Sequence, residues 1–256
     1  MSTLFNLSGK IVLVTGASSG MGKAIALAMA AHGATVVVSS NDEAGCEAVV
    51  DEITKNQGEA IAIACDVSKK EEVQNLVRFA LNKYGKIDSL VSGVGIAPVG
   101  SFLEIDAAEF EQATNVNVHS AMYLTQQVLP QMVERKEGTL IYLASIASVR
   151  GNKSIGLYGL TKAALAQMVR NLAVEFGPFN IRANAISPGM IDTPFSQSLL
   201  ANEAFMKRRL SLTPLRRVGT PDEIAGVAVM LASKAGGFIT GQNIIVDGGT
   251  TISDGN

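Results

Sequence analysis

The chain has no tryptophan, two cysteines, two histidines and only 5% aromatic residues among its 256. Cys46, Cys65, His32 and His119 are too few and too scattered for a Cys/His metal centre, and two thiols in so long a chain make no disulfide framework. No metal is expected, and the thiols are expected to be reduced. An excess of one charge is also missing, with 21 Lys and Arg against 23 Asp and Glu. The densest basic stretch, Lys207-Arg208-Arg209 with Arg216-Arg217, is too short to suit nucleic acid or an anionic membrane, so neither is an expected partner. Long hydrophobic runs are lacking as well. The charge-free stretch Ala24 to Asn41 is broken by His32-Gly33 and passes from Ala-rich to Val-rich, which suits a helix followed by a strand rather than a membrane span. The first residues carry no basic segment before an apolar run, and Ser253-Asp254-Gly255-Asn256 matches no retention or peroxisomal signal, so a cytoplasmic protein is expected.

What is present is a core-forming composition, 47% hydrophobic and 17% charged, without low-complexity tracts. Runs at 10–15, 35–38, 60–64, 87–91, 139–143, 181–186 and 243–246 have the apolar character of strands, several of them apolar enough to be buried on both faces. Helical patterns near 20–31, 42–57, 69–84, 107–135, 154–177 and 221–234 lie between them, with Pro221 as a start signal and Gly85, Gly138 and Gly177 as stops. This alternation predicts an α/β fold: a single Rossmann-type, doubly wound, mostly parallel seven-stranded sheet with helices on both faces and a ligand crevice at the carboxyl ends of its strands. No linker or repeat divides it, so 1–256 is expected to be one dinucleotide-binding and catalytic domain. The stretch 194–217 breaks the rhythm and is expected to be a substrate-binding loop or lid.

The first strand runs into Thr15-Gly-Ala-Ser-Ser-Gly-Met-Gly22. Gly16, Gly20 and Gly22 permit a tight turn and close backbone approach to a pyrophosphate at a helix N-terminus, with Ser18, Ser19 and Met21 in the same cradle; a turn that needs glycine only for packing is the plain alternative. Tyr158 and Lys162, four apart in a helical segment, project from one face. A phenol is a poor base at neutral pH, but an adjacent ammonium stabilises its phenolate, so the pair suits proton exchange with a carbonyl or alcohol; a surface Tyr-Lys pair has the same spacing. Ser145 follows a strand at its carboxyl end. No GxSxG surrounds it and His119 falls mid-helix as a packed or interface residue, so no nucleophilic triad is expected. Asn117 lies in Thr114-Asn-Val-Asn-Val118, a poor stretch for a helix interior.

Thr15-Gly-x-x-x-Gly-x-Gly22, Tyr158-x-x-x-Lys162 and Ser145 upstream of the tyrosine together resemble the short-chain dehydrogenase/reductase family, over nearly the whole chain from Lys10 to Gly249. The resemblance implies hydride transfer between a nicotinamide cofactor and a ketone or secondary alcohol. Tyr158 would be the acid/base, Lys162 would lower its pKa and bind the cofactor ribose, and Ser145 would orient the substrate. Asn117 would hold, by its backbone, a water linked to the lysine, with Asn115 as its structural neighbour. The resemblance further implies Asp66 and Val67 at the adenine, Ser92 and Gly93 along the cofactor, and Asn184, Ser187, Pro188, Gly189, Ile191 and Thr193 at the nicotinamide and pyrophosphate, Ile191 through its backbone. Asp66 as a helix cap and Pro188-Gly189 as a turn are the bland readings. The four-residue Tyr-to-Lys frame is similar to that of ketoreductases and shorter than that of enoyl reductases. Where the family commonly has Asn-Asn-Ala-Gly, this chain has Ser92-Gly93-Val94-Gly95, which predicts a looser or differently shaped cofactor wall. The family's acidic ribose position falls on Ser40, followed by Asn41, so NADP(H) is favoured, while Asp42 keeps NAD(H) open. A homotetramer, or a homodimer, is implied through the helices of Asn117 and Tyr158 and the C-terminal strand.

The expected pocket wall, Ile96, Ile146, Ala147, Ile155, Gly189, Met190 and 195–200, is apolar. A medium-sized apolar carbonyl or alcohol is therefore the expected substrate, with Ser145, Ile146, Ile155, Tyr158 and Met190 around it and with Arg150 and Lys153 as solvated charges. A 3-oxoacyl-carrier-protein reductase-like enzyme is one alternative. A catalytically idle NAD(P)-binding regulator is another, disfavoured because Ser145, Tyr158 and Lys162 are all retained.

Overall fold

A computed structural model describes residues 3–253. Strands β1 (Ile11–Thr15), β2 (Thr35–Ser40), β3 (Glu59–Ala64), β4 (Ser89–Ser92), β5 (Gly138–Leu143), β6 (Ile181–Pro188) and β7 (Asn243–Val246) form a seven-stranded sheet in the order β3-β2-β1-β4-β5-β6-β7. Every pairing is parallel. The central strands are apolar throughout because both of their faces are covered: in β1, Val12 and Val14 join a core with helices α1 (Gly20–Ala31), α2 (Glu43–Lys55) and α9 (Pro221–Ala232), while Ile11 and Leu13 join the opposite core. That second core is built on α3 (Lys70–Tyr84), α5 (Ser120–Arg135) and α6 (Gly156–Phe176). Edge strands β3 and β7 are only partly covered and correspondingly mixed in composition.

The strand order reverses between β1 and its neighbours β2 and β4, and at such a switch point the loops leave the sheet in opposite directions and open a crevice. The glycine turn after β1, Ser40 at the end of β2, Ser92 at the end of β4, Ser145 after β5 and Pro188 at the end of β6 all lie on that edge.

Two expected elements differ in detail. The helix expected over 107–135 is α4 (Ala107–Thr114) joined to α5 by a π turn, Asn115–His119. Asn and β-branched residues in succession weaken the α-helical ladder there, and the wider turn absorbs one extra residue. The stretch 194–217 is largely helical, with α7 (Gln197–Leu200) and α8 (Glu203–Ser211), the latter started by Asn202, whose side chain accepts from the Phe205 amide. Among the described residues no helix is long and apolar enough to cross a membrane.

Candidate active site

The cradle at the start of α1 is shaped by its glycines. Gly16 and Gly20 have φ of +68° and +54°, and a Cβ on Gly22 would come within 2.0 Å of the Gly16 carbonyl oxygen. The N-cap Ser19 places no side-chain acceptor on the first-turn amides. By contrast, α2 and α4 are capped by Asp42 and Asp106. An open helix N-terminus, free of Cβ atoms and of its own cap, fits a pyrophosphate. Thr193 stands across from it, 3.4 Å from where a Gly20 Cβ would be. The 188–194 segment and the glycine turn therefore form the two walls of one groove.

At Ser92-Gly93 the backbone packs closely against the glycine turn. A Gly93 Cβ would lie 2.7 Å from the Thr15 carbonyl oxygen, and a Gly16 Cβ 3.1 Å from the Gly93 carbonyl carbon. Absence of a side chain at 93 lets the two backbones close on each other.

At the end of β2, the Ser18 hydroxyl donates to Ser40 Oγ at 3.1 Å, tying the glycine turn to the ribose-side position. Asp42 is engaged as the N-cap of α2, accepting from the Gly45 amide at 3.0 Å, so its carboxylate has a structural task. Asp66 likewise accepts from the hydroxyl and amide of Ser68 at 2.7 and 3.0 Å, and these bonds hold its carboxyl below the usual range against partial burial. Buried Val67 follows it, and Asn115 reaches the adjoining Ser68 carbonyl at 3.3 Å.

The chemistry-bearing side chains converge. Tyr158 and Lys162 on α6 are both buried, with the Lys162 ammonium 5.6 Å from the centre of the Tyr158 ring. Lys162 Nζ donates to the Leu143 carbonyl at 2.8 Å, the end of the strand that delivers Ser145. Ser145 Oγ accepts from the Ala147 amide at 3.1 Å, which fixes the hydroxyl. Burial pushes the Tyr158 phenol upward, with Ser145 opposing, and brings Lys162 down to about 8. The net direction for Tyr158 is opposite to the expected lowering by Lys162. Desolvation is the largest effect on each group, and at Tyr158 the hydrogen bond with Ser145 opposes it.

Asn117 sits in the π turn with its side chain fully engaged. It accepts from the Ile96 amide at 2.8 Å and donates to the Ile96 carbonyl and to Thr161 Oγ1, both at 2.9 Å. The loop after β4 is thereby fastened to α6, one residue from Lys162. Sequence reasoning missed Thr161 and the Leu143 carbonyl, for which spacing offers no signal.

Other expected residues are placed differently. Asn184 is buried in mid-β6, donating to the Ile239 carbonyl at 2.8 Å and accepting from the Gln242 amide at 3.0 Å, so it holds a turn and does not reach the groove. Ser187 is turned to Asn243, 2.6 Å away, and to Ser148. His119 is exposed and 6.2 Å from the Tyr123 ring rather than packed inside. Arg150 is partly buried, with its Nε buried and without a hydrogen-bond partner, and Lys153 is exposed.

The expected pocket-wall residues and their chain neighbours are apolar. Ile146 and Ile191 are buried, Ile155 and Met190 half-buried. The Phe195 ring lies 6.3 Å from that of Tyr158. Val149 and Leu199 are exposed, as is Phe102, which packs where a Gly156 Cβ would be. Phe102 was absent from the expected wall because the 96–106 loop has no periodicity to place it.

An open helix N-terminus and a Ser-Tyr-Lys cluster, both at the carboxyl edge of a doubly wound sheet, fit a nicotinamide-dependent oxidoreductase. A family model described as "Enoyl-(Acyl carrier protein) reductase" matches residues 16–251. The chain is 39% identical over 243 residues to 7alpha-hydroxysteroid dehydrogenase of Escherichia coli (strain K12), covering 95% of this chain and 94% of that protein. It is 36% identical over 251 residues to dehydrogenase/reductase SDR family member 4 of Sus scrofa, covering 95% and 88%. A structure of 7 alpha-hydroxysteroid dehydrogenase complexed with NADH and 7-oxo glycochenodeoxycholic acid is similar at a TM-score of 0.94 and 37% identity, over 97% of each chain. The chain belongs to the short-chain dehydrogenase/reductase family and is an NAD(P)-dependent enzyme acting on CH-OH groups.

Proposed function

We propose that this enzyme reduces a medium-sized, apolar ketone and prefers NADPH. The observation that carries the reading is that half-buried Ser145 meets buried Tyr158 and Lys162 at the carboxyl edge of the sheet, the edge that also carries the glycine cradle. With burial holding the phenol above its ordinary pKa, Tyr158 is protonated at neutral pH and is set to give its proton to a carbonyl oxygen. Ser145 donates to the same oxygen and orients it. Lys162 binds ribose hydroxyls and, when charged, eases transient formation of the phenolate. Asn117 is the proton-relay residue carried over from the family, and its hold on Ile96 positions the lysine's surroundings. The nicotinamide, when bound, supplies the hydride. The four-residue Tyr-to-Lys frame supports ketone rather than enoyl chemistry.

Gly16, Ser18, Ser19, Gly20, Met21 and Gly22 would hold the pyrophosphate. Thr193, Pro188, Gly189 and Ile191 would close over it, with Ser92 and Gly93 behind. Support for NADPH comes from Ser40 and Asn41, which offer hydroxyl and amide groups and no carboxylate to a 2′-phosphate, while Asp42 is occupied as a cap. The apolar side chains of Ile146, Ile155, Met190, Phe195 and Phe102 support an apolar substrate. We take 1–256 as one cytoplasmic domain, with 194–217 as the segment that covers substrate, since Phe195 already reaches the Tyr158 ring. A homotetramer is supported by exposed apolar Leu160 and Val174 on α6 and Phe238 and Ile245 near the last strand.

Fluorescence titration with NADPH and NADH, followed by a ketone panel, tests the reading. NADPH is expected to bind about tenfold or more tighter than NADH, and Tyr158→Phe to lower kcat by about 10³-fold with cofactor affinity kept. Tighter NADH binding would overturn the cofactor choice, and a Tyr158→Phe enzyme of near-normal rate would overturn the mechanism.

A further inference from the structure

Thr161 stands between Tyr158 and Lys162 in the chain, and it is completely buried. A hydroxyl taken out of water is costly unless it is bonded, and this one is bonded twice. It donates to the Tyr158 carbonyl at 2.8 Å and accepts from Asn117 Nδ2 at 2.9 Å. A threonine hydroxyl both donates and accepts, so one oxygen fills the two roles at once. The first bond is local, joining the hydroxyl to a carbonyl three residues back on the same helix. The second crosses 44 positions and meets the π turn, Asn115–His119.

Asn117 passes that contact on. It is itself buried, and of its two Nδ2 hydrogens one goes to the Ile96 carbonyl and the other to Thr161, while Oδ1 accepts from the Ile96 amide. Without the Thr161 hydroxyl a buried N–H has no acceptor, which favours any rearrangement of the amide that finds one. The residue before Ile96 is Gly95, whose backbone faces the lysine: a Cβ there would lie 2.9 Å from Lys162 Nζ and 3.4 Å from Asn117 Oδ1. Asn117 therefore holds the backbone that lies along one side of the ammonium, while the Leu143 carbonyl, 2.8 Å from Nζ, holds another. The path of contacts runs from the Tyr158 carbonyl through Thr161, Asn117 and the Gly95-Ile96 backbone to Lys162, beginning and ending on α6.

We propose that Thr161 is a positioning residue for ketone reduction: its hydroxyl, acting through Asn117, keeps the Gly95-Ile96 backbone against the Lys162 ammonium and so keeps that ammonium in place beside Tyr158. This rests on the assignment of Tyr158 and Lys162 as the acid/base pair. A displacement of about 1 Å in a group that supports the reacting atoms lowers the rate steeply without a matching loss of substrate binding. Serine carries the same hydroxyl and can replace threonine in this role, whereas valine keeps the shape and has no hydroxyl.

Steady-state reduction of 2-octanone and of cyclohexanone by NADPH tests this on the wild type, Thr161→Val, Thr161→Ser, Asn117→Ala and the double variant Thr161→Val/Asn117→Ala. Thr161→Val is expected to lower kcat by about tenfold, with KM for the ketone and the Kd for NADPH each within about threefold of the wild type. Thr161→Ser should recover kcat to within about threefold, since it restores the hydroxyl. In the Asn117→Ala background Thr161→Val should lower kcat by less than about twofold more, because the hydroxyl has lost its route to the lysine. Thr161→Ala takes the place of Thr161→Val if the latter melts below the assay temperature. A Thr161→Val enzyme with wild-type kcat overturns the proposal, as does a Thr161→Ser enzyme no better than Thr161→Val, which would make shape the cause. Equal losses with and without the Asn117 side chain overturn it too, by showing that Thr161 does not act through that residue. Tyr158→Phe assayed alongside separates the two levels. If it keeps its activity the acid/base assignment fails, and if it is inactive while Thr161→Val is not, only the positioning role fails.

Discussion

Lys162 is held between two groups of its own chain, its ammonium 2.8 Å from the Leu143 carbonyl oxygen and 5.6 Å from the centre of the Tyr158 ring. The carbonyl aims the charge and the helix sets the distance to the phenol. Burial displaces its pKa from the ordinary 10.5 to about 8, and among the described residues no carboxylate pairs with it. The position is arranged for chemistry at the expense of stability.

Replacing that lysine should therefore stabilise the fold. The unfolded chain binds more protons than the folded one between about pH 8 and 10.5, so Lys162 destabilises the native state fully below pH 8 and less as pH rises through that window. Lys162→Met is expected to gain about 2 kcal/mol at pH 7, from a desolvation relief of about 3 less about 1 for the lost bond to Leu143. The gain should shrink by pH 10, and kcat should fall by about 10²-fold or more. Calorimetric melting at the two pH values, with turnover on a model ketone, checks both. A variant less stable than wild type at pH 7 would contradict the account.

Gly95 gives a gentler perturbation of the same group. A Cβ there would lie 2.9 Å from Lys162 Nζ and 3.4 Å from Asn117 Oδ1. The end of a lysine side chain can yield, so Gly95→Ala is expected to change stability by less than about 1 kcal/mol. It should nonetheless lower kcat by about tenfold, because the ammonium leaves its aimed position. Equal melting curves with unequal rates are the signature.

Ser40→Asp tests the cofactor reading at one atom. A carboxylate beside Ser18 should repel a 2′-phosphate and accept from a 2′-hydroxyl, so NADPH affinity should drop by about tenfold or more and NADH affinity rise. Fluorescence titration of both nucleotides reads the exchange. Unchanged NADPH affinity would place the 2′ position away from Ser40.

Asp88, at the opposite edge of the sheet, anchors stability. It is 3% exposed, accepts from the Ile11 amide at 2.8 Å and pairs with Lys86 and Arg135, both at 3.0 Å. Burial works against its charge, yet the Ile11 amide, Lys86, Arg135 and Lys10 together hold the carboxyl below the usual range. Its contribution is therefore present above the ordinary carboxylate pKa near 4 and is lost as pH falls through the lower folded value. Asp88→Asn should cost about 3 kcal/mol at pH 7 in urea unfolding, with the gap from wild type narrowing toward pH 3. Activity at 25 °C in buffer should be little changed.

Much of the fold and site was legible because its signals are local. Gly16, Gly20 and Gly22 mark a turn no other residues permit, Tyr158 and Lys162 are tied by helical pitch, and strands buried on both faces announce themselves as unbroken apolar runs. The irregularity at 114–118 was visible too, and the π turn is its outcome. What escaped are contacts between residues far apart in the chain. Nothing in spacing joins Asn117 to Ile96, or Lys162 to a carbonyl at Leu143. Asn184 was misplaced for the same reason, since a polar residue in a strand declares its chemistry but not its partner.

By itself the sequence determined the βαβ order, the glycine turn and the pairing of Tyr158 with Lys162 on one helix face, because backbone sterics and helix and strand periods act over a few residues. Tertiary structure alone decided the proton affinities and the shape of the pocket. Desolvation depends on everything packed around a group, which is why Tyr158 is displaced upward where its lysine neighbour suggested the reverse.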